Sequence, residues 1–384
     1  MPGLKYIALS LLAAGLAIAH PGHDMQNEAK ERALARTSLR ARNLNHCADK
    51  LISSRHTSKS VSRRSVAVDS LRQRNARLAG RDFDTVLNTT HHSNLTGITA
   101  STDPDTLFLG NNSCTLVPEA TQGPYYVSGE MLRGDITEDQ PGVPLYLDIQ
   151  LISTRDCEPI EGLALDIWHA NATGTYSGYP DPEGGMNTTF LRGIQVTDDD
   201  GVVEFKTIFP GHYDGRATHI HIMAHSPGNW SMLANDTIAG GKWTSHIGQV
   251  FYDKDLIEQV ETYFPYTENN ITLTTNDEDI ILEQETNEAE VDPIAQYVLL
   301  GDTVEDGLYS WISIAIDPEA IYYVPAAVDH VAGGGVEDPC FEMLNLPSDF
   351  SWPDTRPAYC STVEYAKRTA DPVHAARAAK ITVA

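Results

Sequence analysis

The chain has 384 residues, 41% of them hydrophobic, and a formal net charge of −26 from 53 Asp and Glu against 27 Lys and Arg. Such an acidic chain is disfavoured as a nucleic-acid binder, and its length allows one large domain or two small ones, each able to bury a core. The charge is uneven: roughly half of the basic side chains fall in residues 25–82.

In chain order, Lys5 and the apolar run IALSLLAAGLAIA read as a signal peptide over residues 1–19, with a small-x-small cleavage site at Ala17-Ile18-Ala19. The run is short for a membrane span. The expectation is a secreted, extracellular protein that starts near His20 and holds no membrane in its mature form. Residues 20–113 read as a basic helical arm and a polar linker. The arm, 25–82, is rich in Ala, Leu, Arg and Glu with only a loose stripe, and predicts one or two helices. Arg63-Arg64 is a dibasic pair that reads equally well as a processing site or linker and as part of a solvated helix. Residues 83–113 read as loop.

From Cys114 the pattern turns to short β-rich segments. LYLDIQLIS (145–153), ALDIWHA (164–170), GVVEFKTIF (201–209), THIHIMAH (218–225) and GQVFYD (248–253) are separated by turns such as TDDDG (197–201). KDLIEQVETYF (254–264) predicts a short helix. NITLTT (270–275), YVLLGDTVEDG (297–307) and LYSWISIAI (308–316) read as a second strand set. The spacing predicts a mainly β fold, an antiparallel β-sandwich over residues 114–330, followed by a loop-rich extension over 331–384.

Of the five cysteines, Cys340 and Cys360 make a plausible local bridge, and Cys114 with Cys157 a weaker pairing that leaves Cys47 over. No CxxC exists, which argues against a thiolate zinc site. Eight Asn-x-Ser/Thr sequons (Asn88, Asn94, Asn111, Asn171, Asn187, Asn229, Asn235 and Asn270) fit a secreted glycoprotein.

The segment PGHYDGRATHIHI (210–222) carries the chemistry. In a strand, residues i and i+2 point to one face, so His219 and His221 aim two imidazoles at one place while Ile220 and Ile222 face the core. His225 keeps the same parity and is a further candidate ligand. Imidazole suits Zn, Cu, Fe and Ni. Tyr213, in the preceding Pro-Gly turn, narrows the choice: a phenol with an ordinary pKa near 10 binds as phenolate at neutral pH only to a strongly Lewis-acidic ion such as Fe(III). A second tyrosine is then needed. Tyr176 and Tyr179 both follow the 164–170 segment, and Gly174 allows a turn that returns the chain over the sheet end.

EATQGPYYV (119–127), LALDIWHANATGTYSGY (163–179) and TIFPGHYDGRATHIHI (207–222), in this order, resemble the intradiol ring-cleavage dioxygenases, closest to their secreted, fungal-type branch. The resemblance implies an aromatic-compound dioxygenase (prealbumin-like) sandwich and one non-haem Fe(III) per chain, held by Tyr176, Tyr213, His219 and His221. It implies Tyr213 as the ligand that leaves the metal to take a substrate proton, Arg216 beside the substrate ring, Gln249 near the site, and Pro124 and Tyr125 at the substrate mouth. Tyr179 and His169 read as structural. The implied substrates are a small aromatic diol and O2, opened between the hydroxyls to a cis,cis-muconate-type diacid. A homodimer through the N-terminal arm is a further expectation. Competing readings are a β-sandwich binding module without turnover, a copper protein using an N-terminal His20, and a zinc hydrolase built on Glu204 or His225.

Overall fold

Four alternating apolar side chains, Leu145, Leu147, Ile149 and Leu151, are fully buried or nearly so. They lie on the second strand of a computed structural model that describes residues 47–54, 56–79, 113–114, 123, 125–180, 184–225, 228, 230–239, 241–287, 292–320, 322–324, 326–331 and 333–338. The signal segment, Pro124, Cys340, Cys360 and the sequons at Asn88, Asn94, Asn111 and Asn229 fall outside these residues.

Nine strands build two sheets: β1 (Ser113–Cys114), β2 (Pro144–Ser153), β3 (Ala164–Trp168), β4 (Arg192–Val196), β5 (Val202–Ile208), β6 (His219–His225), β7 (His246–Phe251), β8 (Gln296–Leu299) and β9 (Leu308–Ile316). The first sheet runs β1-β9-β2-β5, with β8 also on β9. The second runs β7-β6-β3-β4 and is antiparallel throughout. One core joins them: Leu147, Ile149, Phe205 and Ile312 from the first sheet meet Leu165, Ile167, Ile220, Ile222 and Val250 from the second. Period-2 alternation explains this, because every second residue of each strand faces the other sheet. The sandwich is mainly antiparallel, as expected, but β9 pairs parallel with both β2 and β1. The chain between β2 and β9 includes the whole second sheet, which is ample for the long crossover that a parallel pair requires.

NITLTT forms no strand. Residues 271–275 run as irregular chain, and the Ile271 carbonyl accepts a hydrogen bond from His212. Alternation alone does not make a strand, and here a backbone carbonyl is taken by a side chain instead of a sheet partner. Among the elements not anticipated are β4 and the helix Ile280–Asn287. The expected domain end at 330 falls inside the Val328–Val331 strand, which pairs with Gly334–Glu337 and with Val127–Ser128. The 114–330 unit therefore continues past its expected end.

The N-terminal arm forms two helices, α1 (Ala48–Ser53) and α2 (His56–Ala79). α2 lies on the outer face of the first sheet, where Val61 and Val68 pack with Val298, Leu300, Tyr309 and Trp311. Between them sits a polar joint. Asp148 is fully buried and accepts from Arg63 Nε (3.0 Å) and Nη2 (3.2 Å) and from Arg64 Nε (3.2 Å). Gln150 Oε1 accepts from Ser60 Oγ at 3.0 Å. Arg64 is 4% exposed. The processing-site reading of Arg63-Arg64 is thereby corrected: the pair is helical and joined to the sheet.

Cys47 pairs with Cys157 across 110 residues, which overturns the Cys114–Cys157 expectation. The bridge ties the residue just before α1 to the β2–β3 connection, beside buried Ile152 and Ala315. Asp148→Ala is expected to cost about 3–5 kcal/mol of unfolding free energy, because it leaves the buried Arg64 charge without its partner. Urea denaturation of the intact chain measures this; a loss within error of zero would mean the joint contributes nothing.

Candidate metal centre

The outer face of the second sheet carries the candidate site. Cross-strand register sets one row of residues: Gln249 on β7 opposes His221 on β6, His221 opposes Trp168 on β3, and Trp168 opposes Arg192 on β4. His219 lies one step along β6, opposite Phe251. The two histidines share a face, as the i, i+2 rule requires. The Trp168 indole stacks on the His221 ring, with centroids 4.9 Å apart and planes 3° from parallel, and so fixes the ring's orientation.

Two loops bring the tyrosines over this row. Asn171 Oδ1 accepts from Thr173 N (3.1 Å) and Thr175 N (2.9 Å), forming the turn that leads to Tyr176. Tyr213 follows the Phe209-Pro210-Gly211 turn. The loops touch at glycines: a Cβ on Gly211 would strike the Asn171 carbonyl, and one on Gly174 (φ 88°) the His212 carbonyl. His212 pins the second loop, its Nδ1 lying 2.8 Å from Glu261 Oε1 and its Nε2 donating to Ile271 O (2.9 Å). Burial lowers its pKa, but these acceptors win, and the net shift is upward. Asn171 Nδ2 donates to Gln140 Oε1 at 3.0 Å, so the nitrogen that a glycan would need is engaged. The sequons at Asn187, Asn235 and Asn270 are exposed.

Four candidate donor groups converge. His219 Nε2 lies 3.0 Å from His221 Nε2 and 3.3 Å from the Tyr213 hydroxyl. The Tyr176 ring centroid is 5.3 Å from that of Tyr213 and 6.1 Å from that of His221. His219 Nδ1 donates to the Ala217 carbonyl at 2.6 Å, which leaves the Nε2 lone pair facing the cluster. The Tyr176 hydroxyl is buried and, the Tyr213 phenol aside, has no hydrogen-bond partner, a costly state for a phenol in a protein interior. Metal–ligand bonds of about 2.0–2.1 Å at angles of 90–110° place donor atoms about 2.9–3.4 Å apart, the spacing seen between the two imidazole nitrogens and the Tyr213 oxygen. The residues fit a metal ion.

Burial sets the protonation states. The Tyr213 phenol is pushed up to about 12 by burial, against the opposing pull of Arg216. Tyr176 is raised well above 10, by burial and then by the neighbouring Tyr213 and Tyr125. His219 is lowered to about 3, by burial and then by Arg216. Without a cation, both tyrosines are neutral phenols and His219 is a neutral imidazole at pH 7.

Arg216 is 1% exposed and held from two sides. Its Nε donates to Asp279 Oδ2 (2.8 Å), its Nη2 to Gln249 Oε1 (2.5 Å), and its Nη1 reaches the Tyr213 hydroxyl (3.4 Å). Asp279 also accepts from the backbone N–H groups of Ala217, Ile281 and Leu282. Burial raises the Asp279 pKa, but Arg216 outweighs it and the carboxyl ends below its usual value. A permanent, oriented cation thus stands beside the four candidate donors. Tyr125 stacks on Tyr176 (4.3 Å, 11°) and meets Tyr213 edge-on (5.6 Å), forming an aromatic wall with Val324 and Ala326 close by.

Residues 121–259 match the family model Dioxygenase_C, described as Dioxygenase. The chain is 28% identical over 146 residues to catechol 1,2-dioxygenase 1 of Acinetobacter lwoffii, covering 32% of this chain and 46% of that protein. It is 28% identical over 165 residues to the catechol 1,2-dioxygenase of Acinetobacter baylyi, covering 37% and 52%. The solved intradiol ring-cleavage dioxygenase from Tetranychus urticae is 31% identical, with 53% of this chain and 96% of that one covered and a TM-score of 0.45. Residues 121–259 belong to the intradiol ring-cleavage dioxygenases. The chain spans about half the length of the curated relatives it matches.

The dioxygenase stretch contains Tyr125, Tyr176, Tyr213, Arg216, His219, His221 and Gln249, and the fold brings all seven together. Pro124 is outside the described residues. Tyr179 stands edge-on to Tyr125 at 5.0 Å and packs with Val127 and Val328. His169 is buried, with its ring bound to Thr207 Oγ1 and the Ala170 carbonyl. His225 does not join the cluster: its Nδ1 donates to the Trp243 carbonyl, and Asp166 lies 3.6 Å from its Nε2. Glu204 is on the other sheet, opposite Asp148. The zinc-hydrolase reading thus loses both proposed extra ligands, and among the described residues no three His, Cys, Asp or Glu gather as a metal site. Asp279 lies outside the matched stretch and was missed; in NDEDI it looks like any acidic turn.

Proposed function

We propose that this chain is a secreted intradiol dioxygenase that opens a catechol-type ring between its two hydroxyls with O2, giving a cis,cis-muconate-type diacid and using one Fe(III) per chain. The observation that carries this reading is the convergence of two phenols and two imidazoles, one phenol without any other partner, beside a buried arginine. Two phenolate oxygens favour a hard, strongly Lewis-acidic ion, and Fe(III) meets that need better than zinc. When bound, the iron supplies Lewis acidity that lowers the pKa of the catechol hydroxyls and draws on their electron density.

The protein's residues supply the rest. Tyr176, Tyr213, His219 and His221 would hold the metal. The Tyr213 hydroxyl lies 3.4 Å from Arg216 Nη1, and its phenolate oxygen accepts one catechol proton. The Arg216 guanidinium is fixed by Asp279 and Gln249, so its charge is in place before negative charge develops on the ring, with little reorganisation needed. Tyr125 and Trp168, with Val324 and Ala326, keep the space apolar and exclude water.

Secretion is supported by the N-terminal apolar segment, the exposed sequons and the Cys47–Cys157 bridge, which suits an oxidising compartment. Among the described residues, no helix is long and apolar enough to cross a membrane. A homodimer through the arm would have to use the outer side of α2, where Val66 is 67% exposed, because the inner side covers the chain's own sheet.

Metal analysis with a visible spectrum tests the proposal. Expected are one iron per chain and a phenolate-to-Fe(III) band that is lost or bleached in Tyr176→Phe and Tyr213→Phe, with ring-opened diacid formed from catechols under O2. Colourless protein that takes up no iron on loading sinks it.

A further inference from the structure

Arg192 ends the cross-strand row that carries Gln249, His221 and Trp168. It is 2% exposed, and every nitrogen of its planar fork is hydrogen-bonded. Nε donates to Ser177 O and Oγ (3.0 Å each), Nη2 to Ser177 O (2.6 Å) and Tyr125 O (2.7 Å), and Nη1 to Glu130 Oε1 (3.0 Å). Its guanidinium carbon lies 5.9 Å from the centroid of the Tyr176 ring. One side chain therefore grips the residue next to Tyr176, grips the backbone of the tyrosine stacked on Tyr176, and places a fixed positive charge beside the ring itself. Ser177 adds a second tie through its Oγ, which donates to the Phe190 carbonyl.

We propose that Arg192 is a positioning residue for the metal centre, which holds Tyr176 and Tyr125 as one stacked unit and tunes the Tyr176 phenolate through its charge. The inference rests on the iron reading above for its tuning part. Its clamping part stands on the protein alone. A lysine cannot replace it: an ammonium is a point charge without a fork and cannot reach Ser177, Tyr125 and Glu130 together. The fixed charge lowers the energy of the phenolate electrons, so its removal moves the phenolate-to-iron band to longer wavelength. Partners that orient metal ligands are commonly worth about 10–100-fold in metal affinity.

The test uses full-length wild type, Arg192→Met, Arg192→Lys and Ser177→Ala, with folding checked by circular dichroism. Iron affinity and the visible band are measured on loaded protein, and nitration of Tyr125 and Tyr176 is mapped by mass spectrometry on metal-free protein. Expected in Arg192→Met are an iron affinity about 10–100-fold weaker, a band shifted to longer wavelength, and faster nitration of Tyr125. Arg192→Lys keeps the band nearer its wild-type position but shares the faster nitration. Should neither Arg192 variant fold, Ser177→Ala, which removes one hydrogen-bonding oxygen, carries the test through the same readouts. A folded variant with unchanged band, iron affinity and nitration overturns the inference. If wild type itself takes no iron, the metal reading fails separately, and the clamp is judged by nitration alone, where unchanged rates overturn it.

Discussion

Arg216→Ala is expected to lower kcat by about 10²–10³ while iron stays bound. The argument is one of position. The guanidinium touches the Tyr213 hydroxyl at 3.4 Å but is not one of the four converging donors, so its loss removes charge stabilisation rather than metal ligation. The same substitution strands Asp279, which is buried and held below its usual pKa by Arg216. Breaking a buried pair in this way costs about 3–5 kcal/mol of stability, offset in part by the three backbone N–H groups that Asp279 keeps. Gln249→Ala serves as the comparison. It removes one neutral acceptor that steadies Arg216, and its effect on kcat should stay within about an order of magnitude. Steady-state kinetics, with iron content and a urea titration for each variant, separate the two effects. An Arg216→Ala protein that keeps its iron and its kcat would remove Arg216 from the chemistry.

The sandwich was legible because its core follows a period of two. Leu145, Leu147, Ile149 and Leu151, and likewise Ile220, Ile222 and Ala224, recur at every second position, and each set meets the facing sheet. The same period made His219 and His221 legible as a pair. The clamp on Tyr176 was not. Arg192 sits among apolar residues in FLRGIQV, where an arginine reads as an exposed interruption; its partners at Glu130, Ser177 and Tyr125 are near only in space. The packing of α2 was hidden for a related reason. Its buried face is Ser60, Val61, Arg64, Val68 and Arg72, a helical spacing in which three of the five members are polar or charged, so a hydropathy reading sees no stripe. Asp148 on the sheet makes that face workable, and nothing local to the helix announces it. The Cys47–Cys157 bridge spans 110 residues, and spacing carries no information about a contact of that range.

Metal affinity is expected to rise with pH by about 100-fold per unit between pH 5 and pH 8, because two protons must leave. The sign follows from the free states. Tyr213 titrates at about 12 and Tyr176 well above 10, so each is a phenol in metal-free protein and must become a phenolate on binding. Raising the pH lowers the cost of removing those protons and favours the loaded form; lowering it favours the empty, protonated form. His219, lowered to about 3, is already neutral and adds no proton to the count. A site built from histidines of ordinary pKa would instead level off above pH 7. Competition against a chelator of known protonation gives the slope directly. Tyr176→Phe removes one displaceable proton, so its slope should fall to about tenfold per unit, on top of weaker binding throughout. A wild-type slope near zero would mean that the phenols do not ligate as phenolates. A slope of two in wild type that drops to one in Tyr176→Phe would establish Tyr176, the buried hydroxyl with no other partner, as a metal ligand.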